Sequence, residues 1–267
     1  MLEYAKDICH THAIKHTVAK ELSVRLTCTL GPGLLIILFL VPRQGEGLPL
    51  RTDLIPRGTW EYRVVSGPTL LGELTSVIRT EKGRIVSTSD MKGSRLQRTS
   101  LTAELPTLVP IASSTFIYQS GEGSTTARLT YEAQGDSLFV TGSVVWSGIG
   151  RPRAAPMMIR QHLPRQGWYD NQSIDLLISA LPLENGGSWS AHLFDPTHDK
   201  PLDITITVVE RTDVTTPAGA FEVWRVDVAG MGGSVQYFIE CTTRVLVVQY
   251  LPASEFRLEL KSPLRPQ

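Results

Sequence analysis

Beyond residue 57 the chain alternates between apolar and polar positions. Trp60, Tyr62 and Val64 oppose Glu61 and Arg63; Ala127, Leu129 and Tyr131 oppose Thr126, Arg128 and Thr130. Ile204, Ile206 and Val208 oppose Thr205 and Thr207; Trp224, Val226 and Val228 oppose Arg225 and Asp227. Val235, Tyr237 and Ile239 oppose Gln236 and Glu240, and Phe256–Lys261 alternates in the same way. A period of two places successive side chains on opposite faces of a strand. One dry face and one wet face point to antiparallel pairing, not to the doubly buried strands of a parallel sheet. Lys82-Gly83, Lys92-Gly93, Gln134-Gly135-Asp136 and Gly230–Gly233 supply turns between the runs. About a dozen strands in a meander follow.

One helix breaks the pattern. In Gln172–Leu181, Ile174, Leu177, Ile178 and Leu181 fall on one helical face, and Pro182 ends it. Gly148–Arg165 is the least regular stretch, with Pro152, Pro156 and Pro164, and reads as a long loop or an edge segment. The expected fold is mainly β: one large antiparallel, curved, meander-like sheet or half-open barrel with one short helix. The apolar side of such a sheet has to be covered, either by Gly148–Leu181 or by a ligand.

The first 47 residues have another character. Leu26–Val41 is uncharged, Lys20 and Arg25 precede it, and Pro42–Gly47 forms a polar exit. A basic flank followed by a short apolar run is the pattern of a secretory signal, and the run is short for a membrane span of about 20 residues. The long front end implies either a start downstream of Met1 or an uncleaved signal anchor. The chain thus divides into a targeting segment (1–47), a lead-in (48–56), a β domain (57–262) and a tail (263–267). The expected location is exported: periplasmic or extracellular, or anchored to the inner membrane by residues 26–41.

Charge and composition narrow the function. Of 267 residues, 26 are Lys or Arg and 26 Asp or Glu, and 42% are hydrophobic. Such a chain is not disordered. It lacks the basic excess that a nucleic-acid binder uses on phosphates. Five basic and four acidic groups lie in residues 1–47, so the remainder carries a net charge of −1. Two of the three cysteines (Cys9, Cys28) and three of the six histidines (His10, His12, His16) also lie there. His12 and His16 are spaced as metal ligands on a helix, but a removable tail is a poor place for a fixed site.

Little else suggests chemistry. No nucleophile elbow, P-loop, dinucleotide fingerprint or zinc-protease motif is present. Cys241 falls in phase with Ile239 and reads as a core thiol. His192, Asp195 and His198 could build a metal or acid–base site, although Asp195-Pro196 and Asp199-Lys200-Pro201 read as turns. Trp168, Tyr169 and Asn171, beside Asp170, could orient a polar ligand in a cleft. Asn171-Gln172-Ser173 fits the N-glycosylation pattern. Arg151, Arg153, Arg160 and Arg165 form a local basic patch suited to an anionic head group or acidic partner, or simply a solvated loop.

The stretch from Val209 to Val226, with Thr216-Pro217-Ala218-Gly219-Ala220-Phe221 and Trp224, resembles a strand–turn–strand of the domain-of-unknown-function 3108 family. The hairpin from Gly232 to Val247 and Leu105–Pro110 are similar to that family as well. The resemblance spans about residues 57–262, with Cys241 departing from the usual turn. It implies an exported, mostly antiparallel β-protein and brings no catalytic residues. Two readings follow. The first is a non-enzymatic envelope protein binding an apolar or lipid-like ligand, or a protein partner, on a curved sheet, with no cofactor, no resident metal, no nucleic acid, and membrane contact only through its N-terminal segment. The second is a small hydrolase or metal-assisted enzyme using His192, Asp195 and His198. A purely structural β-module is the third option.

Overall fold

A computed structural model describes residues 47–148, 155–196 and 200–262, all within the compact unit Pro42–Gln267. Residues 1–46 of the targeting segment, Arg151, Arg153 and His198 lie outside the described residues. Eight strands run first: β1 (Gly58–Ser66), β2 (Thr69–Glu81), β3 (Arg84–Gly93), β4 (Arg95–Glu104), β5 (Pro110–Gln119), β6 (Gly123–Gln134), β7 (Ser137–Ser147) and β8 (Met157–Pro164). The short β9 (Trp168–Asp170) leads through a single 3-10 turn into helix α1 (Ile174–Ala180). Then come β10 (Ser188–Asp195), β11 (Lys200–Thr216), β12 (Gly219–Ala229), β13 (Val235–Glu240), β14 (Leu246–Leu251) and β15 (Phe256–Leu260).

All fifteen described strands form one sheet, in the order β8 to β1 and then β15 to β9. Two meanders are therefore joined along β1 and β15, where Tyr62 pairs with Leu260 and Val64 with Leu258. Every pairing is antiparallel except that of β9 with β10, where Trp168 lies opposite His192. The sheet coils into a nearly closed barrel. Its two ends meet through side chains: Phe194 of β10 and Trp168 of β9 pack with Ala127, Leu129, Leu138, Val140, Ile159 and Leu163 of β6–β8.

The alternation seen in the sequence becomes the inner wall. Tyr62, Val64, Ala127, Leu129, Tyr131, Ile204, Ile206, Val208, Val226, Val228, Val235, Tyr237, Ile239, Leu258 and Leu260 are all buried. Burying such side chains contributes about 1.5–3 kcal/mol each relative to exposure, which offsets the cost of ordering long strands. Gly142 on β7 faces a tight approach, since a Cβ there would sit 2.1 Å from the Arg128 carbonyl oxygen. That position has no room for a larger residue.

Helix α1 lies within the barrel. Ile174, Leu176, Leu177, Ile178, Ala180 and Leu181 are all buried, in one cluster with inward residues of β1, β3, β4 and β10–β15. A helix apolar on nearly every side has to be enclosed; the single apolar face read from sequence was too narrow a description. The helix also starts two residues later than expected. Asn171–Ser173 forms the 3-10 turn, and the Asp170 side chain accepts the Gln172 N–H at 2.8 Å as its cap.

The edge-segment alternative for Gly148–Arg165 holds, since part of it is the regular edge strand β8. Two other expectations change. Glu259, expected on the wet face, is 6% exposed and held by Arg63 (Nε–Oε2 2.5 Å) and Arg257. It lies there because the outer face of this half of the sheet carries its own small apolar cluster, centred on Val223, Val247 and Val248. Cys241 is half-buried and not in the core. Strand β13 ends at Glu240, whose carboxylate accepts the backbone N–H of Thr242, so the chain leaves the pleat before Cys241.

Candidate functional site

The helix does not fill the barrel. A cavity of about 360 Å³ remains between α1 and the inner walls of β1–β5 and β13–β15. Small-molecule pockets run from about 300 to 1,000 Å³, so the space suits a small ligand. Its walls are unlike one another. Trp60, Tyr62, Leu74, Ile78, Leu246 and Leu258 make the apolar side. Ser76, Ser87, Ser89, Gln97, Thr99 and Thr115 make a polar side.

The polar side follows from register. Ser76 lies opposite Ser89, Ser89 opposite Thr99, and Thr99 opposite Thr115, so four strands contribute one row of hydroxyls. The Ser89 and Thr99 hydroxyl oxygens are 2.7 Å apart. The row ends on the plug, where Gln172 Nε2 donates to Thr115 Oγ1 at 2.7 Å and to the Ser114 carbonyl at 3.3 Å.

Helix α1 has two polar residues, Asp175 and Ser179, four apart and both on the cavity side. The Ser179 hydroxyl donates to the backbone carbonyl of Arg244. No described group donates to the Asp175 carboxylate. Burial alone raises its pKa from the usual carboxylate range to about 6. Burial, and after it the Asp175 charge, pushes the Tyr62 and Tyr237 hydroxyls upward. Those hydroxyls are already placed: Tyr62 donates to the Leu246 carbonyl at 3.1 Å, and Tyr237 accepts from Gln249 Nε2 at 3.2 Å.

A second polar constellation closes the barrel. Asp170 is fully buried; its Oδ2 accepts from Ser113 Oγ of β5 at 2.6 Å and from the Tyr131 hydroxyl of β6. Burial raises the Asp170 pKa despite these donors. With every oxygen engaged by protein, Asp170 is a fastener between the two ends of the sheet.

The sequence candidates are scattered. Of Trp168, Tyr169 and Asn171, only Asn171 lines the central cavity. Tyr169 is 4% exposed and borders a separate groove of about 640 Å³ with Leu48, Leu50, Pro106 and Val109. Trp168 stacks on His192 with ring centroids 5.1 Å apart. His192 Nδ1 lies 2.7 Å from Asp203 Oδ1 on the exposed side, whereas Asp195 is buried and 3.5 Å from Asn171 Nδ2. Among the described residues no three His, Cys, Asp or Glu are placed to hold a metal. Arg160 is exposed on β8, and Arg165 is paired with Glu104 at 3.3 Å. The glycosylation pattern lies on the plug, with Ser173 fully buried and bonded to the Asp170 carbonyl.

Sequence reasoning missed Asp175. Its one signal was an acid inside the apolar run Ile174–Ala180. The hydroxyl row had no local signal, because four separate strands supply it.

Together these features define a plugged, nearly closed antiparallel β-barrel with a ligand-sized, two-sided interior. The chain belongs to the family described as "Protein of unknown function (DUF3108)", whose model matches residues 61–261. No curated protein matches the chain. Among solved structures it is similar to a β-barrel-like protein of the DUF1849 domain from Brucella abortus, at 12% identity and a TM-score of 0.43. That match covers 78% of this chain and 97% of the other. It is also similar to a protein assigned as exported, with a YmcC-like fold, from Bacteroides fragilis (11% identity, 79% and 98% coverage, TM-score 0.27). A third similar structure is a chain assigned as a lipoprotein from Parabacteroides distasonis (11% identity, 82% and 99% coverage, TM-score 0.27).

Proposed function

We propose that this chain is a non-enzymatic β-barrel of a bacterial cell envelope that holds a small amphipathic ligand in its interior. The observation that carries the reading is the two-sided cavity beside α1, apolar along Trp60, Leu74, Ile78 and Leu258 and polar along Ser76, Ser89, Thr99 and Thr115. A mostly apolar pocket with a few placed polar groups holds a ligand by burial and orients it by hydrogen bonds. Export is supported by the uncharged run Leu26–Val41 behind Lys20 and Arg25. The dispersal of His192 and Asp195, each engaged with a different neighbour, favours binding over catalysis.

Native mass spectrometry of the full chain, recovered from an envelope fraction, tests this. The expected result is a co-purifying small molecule released on collisional activation. A bare chain that also fails to take up an apolar fluorophore such as Nile red would overturn it.

A further inference from the structure

The cavity has a charge character that its apolar walls conceal. Among the described residues lining it, Asp175 is the one that ionises in the ordinary pH range; Tyr62 and Tyr237 are held neutral by burial, and no Lys, Arg or His is present. Its carboxylate has no hydrogen bond or ion pair with any described group. Asp175 itself is half-buried, and two further acceptors on the same stretch of chain also lack partners. Asn171 Oδ1 and Gln172 Oε1 are buried side-chain oxygens without a hydrogen-bond partner. Both residues line the cavity. Their amide nitrogens are committed elsewhere, Asn171 Nδ2 to Asp195 and Gln172 Nε2 to Thr115 and Ser114, which fixes which end of each amide is left over.

Buried polar groups without partners are rare and costly, and a native protein that keeps several in one place has a use for them. Here all three are acceptors. The complement of three acceptors, one of them ionisable to an anion, is a cation with three N–H donors, and a primary ammonium has that number. Aromatic residues Trp60, Tyr62 and Tyr237 stand in the same cavity, and aromatic faces attract cations.

Resting on the reading of the cavity as a ligand site, we propose that its ligand is a small primary amine with a short apolar body. The ammonium group is held by Asp175, Asn171 and Gln172, and the apolar body lies against Trp60, Leu74, Ile78 and Leu258. The volume sets the size: 360 Å³ accommodates about a dozen water-sized groups. The groups that face Asp175 from the elements packed on it are the Tyr62 hydroxyl of β1 and the Tyr237 hydroxyl of β13, both neutral, so among the described residues no cation competes with the ligand.

Isothermal titration of the full chain with four six-carbon probes at pH 7.5 tests this: hexylamine, hexanol, hexanoate and hexyltrimethylammonium. Hexylamine is expected to bind at least tenfold tighter than each of the others. Asp175→Asn is expected to remove that advantage. Lowering the pH to 5 is expected to weaken hexylamine binding as Asp175 takes up a proton. Equal or tighter binding of hexanol or hexanoate would overturn the amine while leaving an interior ligand site intact. Equal binding of hexyltrimethylammonium, which has no N–H donor, would overturn the three-acceptor match. Failure of all four probes and of Nile red would overturn both the amine and the interior site.

Discussion

Asp170 on the last strand of the sheet accepts the Ser113 hydroxyl of β5 at 2.6 Å. The two residues stand far apart in strand order, so this bond holds one end of the sheet against the inner face of the other. The Tyr131 hydroxyl joins the same carboxylate oxygen. The 3-10 turn that starts α1 hangs from the other oxygen through the Gln172 N–H. One carboxylate thus ties the start of the plug to the strands it closes against, beside the apolar packing of Phe194 and Trp168 on β6–β8.

Asp170→Ala removes the acceptor from two buried hydroxyls and one backbone N–H. Each orphaned group costs about 1–3 kcal/mol. The expected loss is about 3 kcal/mol or more in urea unfolding. Tyr131→Phe deletes one donor only and should cost about 1–2 kcal/mol. A double-mutant cycle of the two is expected to be strongly non-additive, because they share one bond. Additive effects would remove Asp170 from its role as the fastener.

Asp175 makes the opposite prediction. Its folded-state pKa is about 6, above the unfolded value of about 3.9. A carboxyl with a raised folded pKa favours folding while protonated. Its contribution is fully present below about pH 4 and is lost as pH rises through about 6. Asp175→Asn removes this loss, so above pH 6 the variant should be more stable than the parent by roughly 1–3 kcal/mol. The gain should vanish near pH 4. Thermal unfolding at pH 4, 6 and 7.5 reads this out; a variant less stable than the parent at pH 7.5 would contradict it.

Gly142 is expected to tolerate no larger residue. A Cβ there would meet the Arg128 carbonyl at 2.1 Å and Leu129 Cδ2 at 2.7 Å. Gly142→Val should destabilise by about 1–3 kcal/mol through overpacking. Gly233→Ala, with nothing within 4 Å of the new atom, is the control and should change stability by less than about 0.5 kcal/mol. Both are measured by denaturant midpoints.

Cys241 lies in the turn after β13, half-buried. Cys241→Ser should therefore cost less than about 1 kcal/mol in urea unfolding, below the usual cost of a core truncation. A loss of 2 kcal/mol or more would return this thiol to the core.

The sequence by itself determined the strands and their two faces. Alternation is local: successive side chains on an extended backbone point to opposite sides whatever the partner strand is. Tyr62, Val64, Leu129, Tyr131, Ile206 and Val226 were therefore readable as one wall, and so was the helix that follows Tyr169-Asp170. The tertiary structure decided what depends on pairing and closure. Ser76, Ser89, Thr99 and Thr115 belong to four strands and form a row only through register. Asp170 and Ser113 meet only because the sheet curls back on itself. Asp175 became a half-buried acid lining the cavity because α1 went inside the barrel, and Glu259 became a buried carboxylate held by two exposed arginines because the outer face there has its own apolar cluster. Each of these is a contact between residues distant in the chain, and local periodicity contains no record of it.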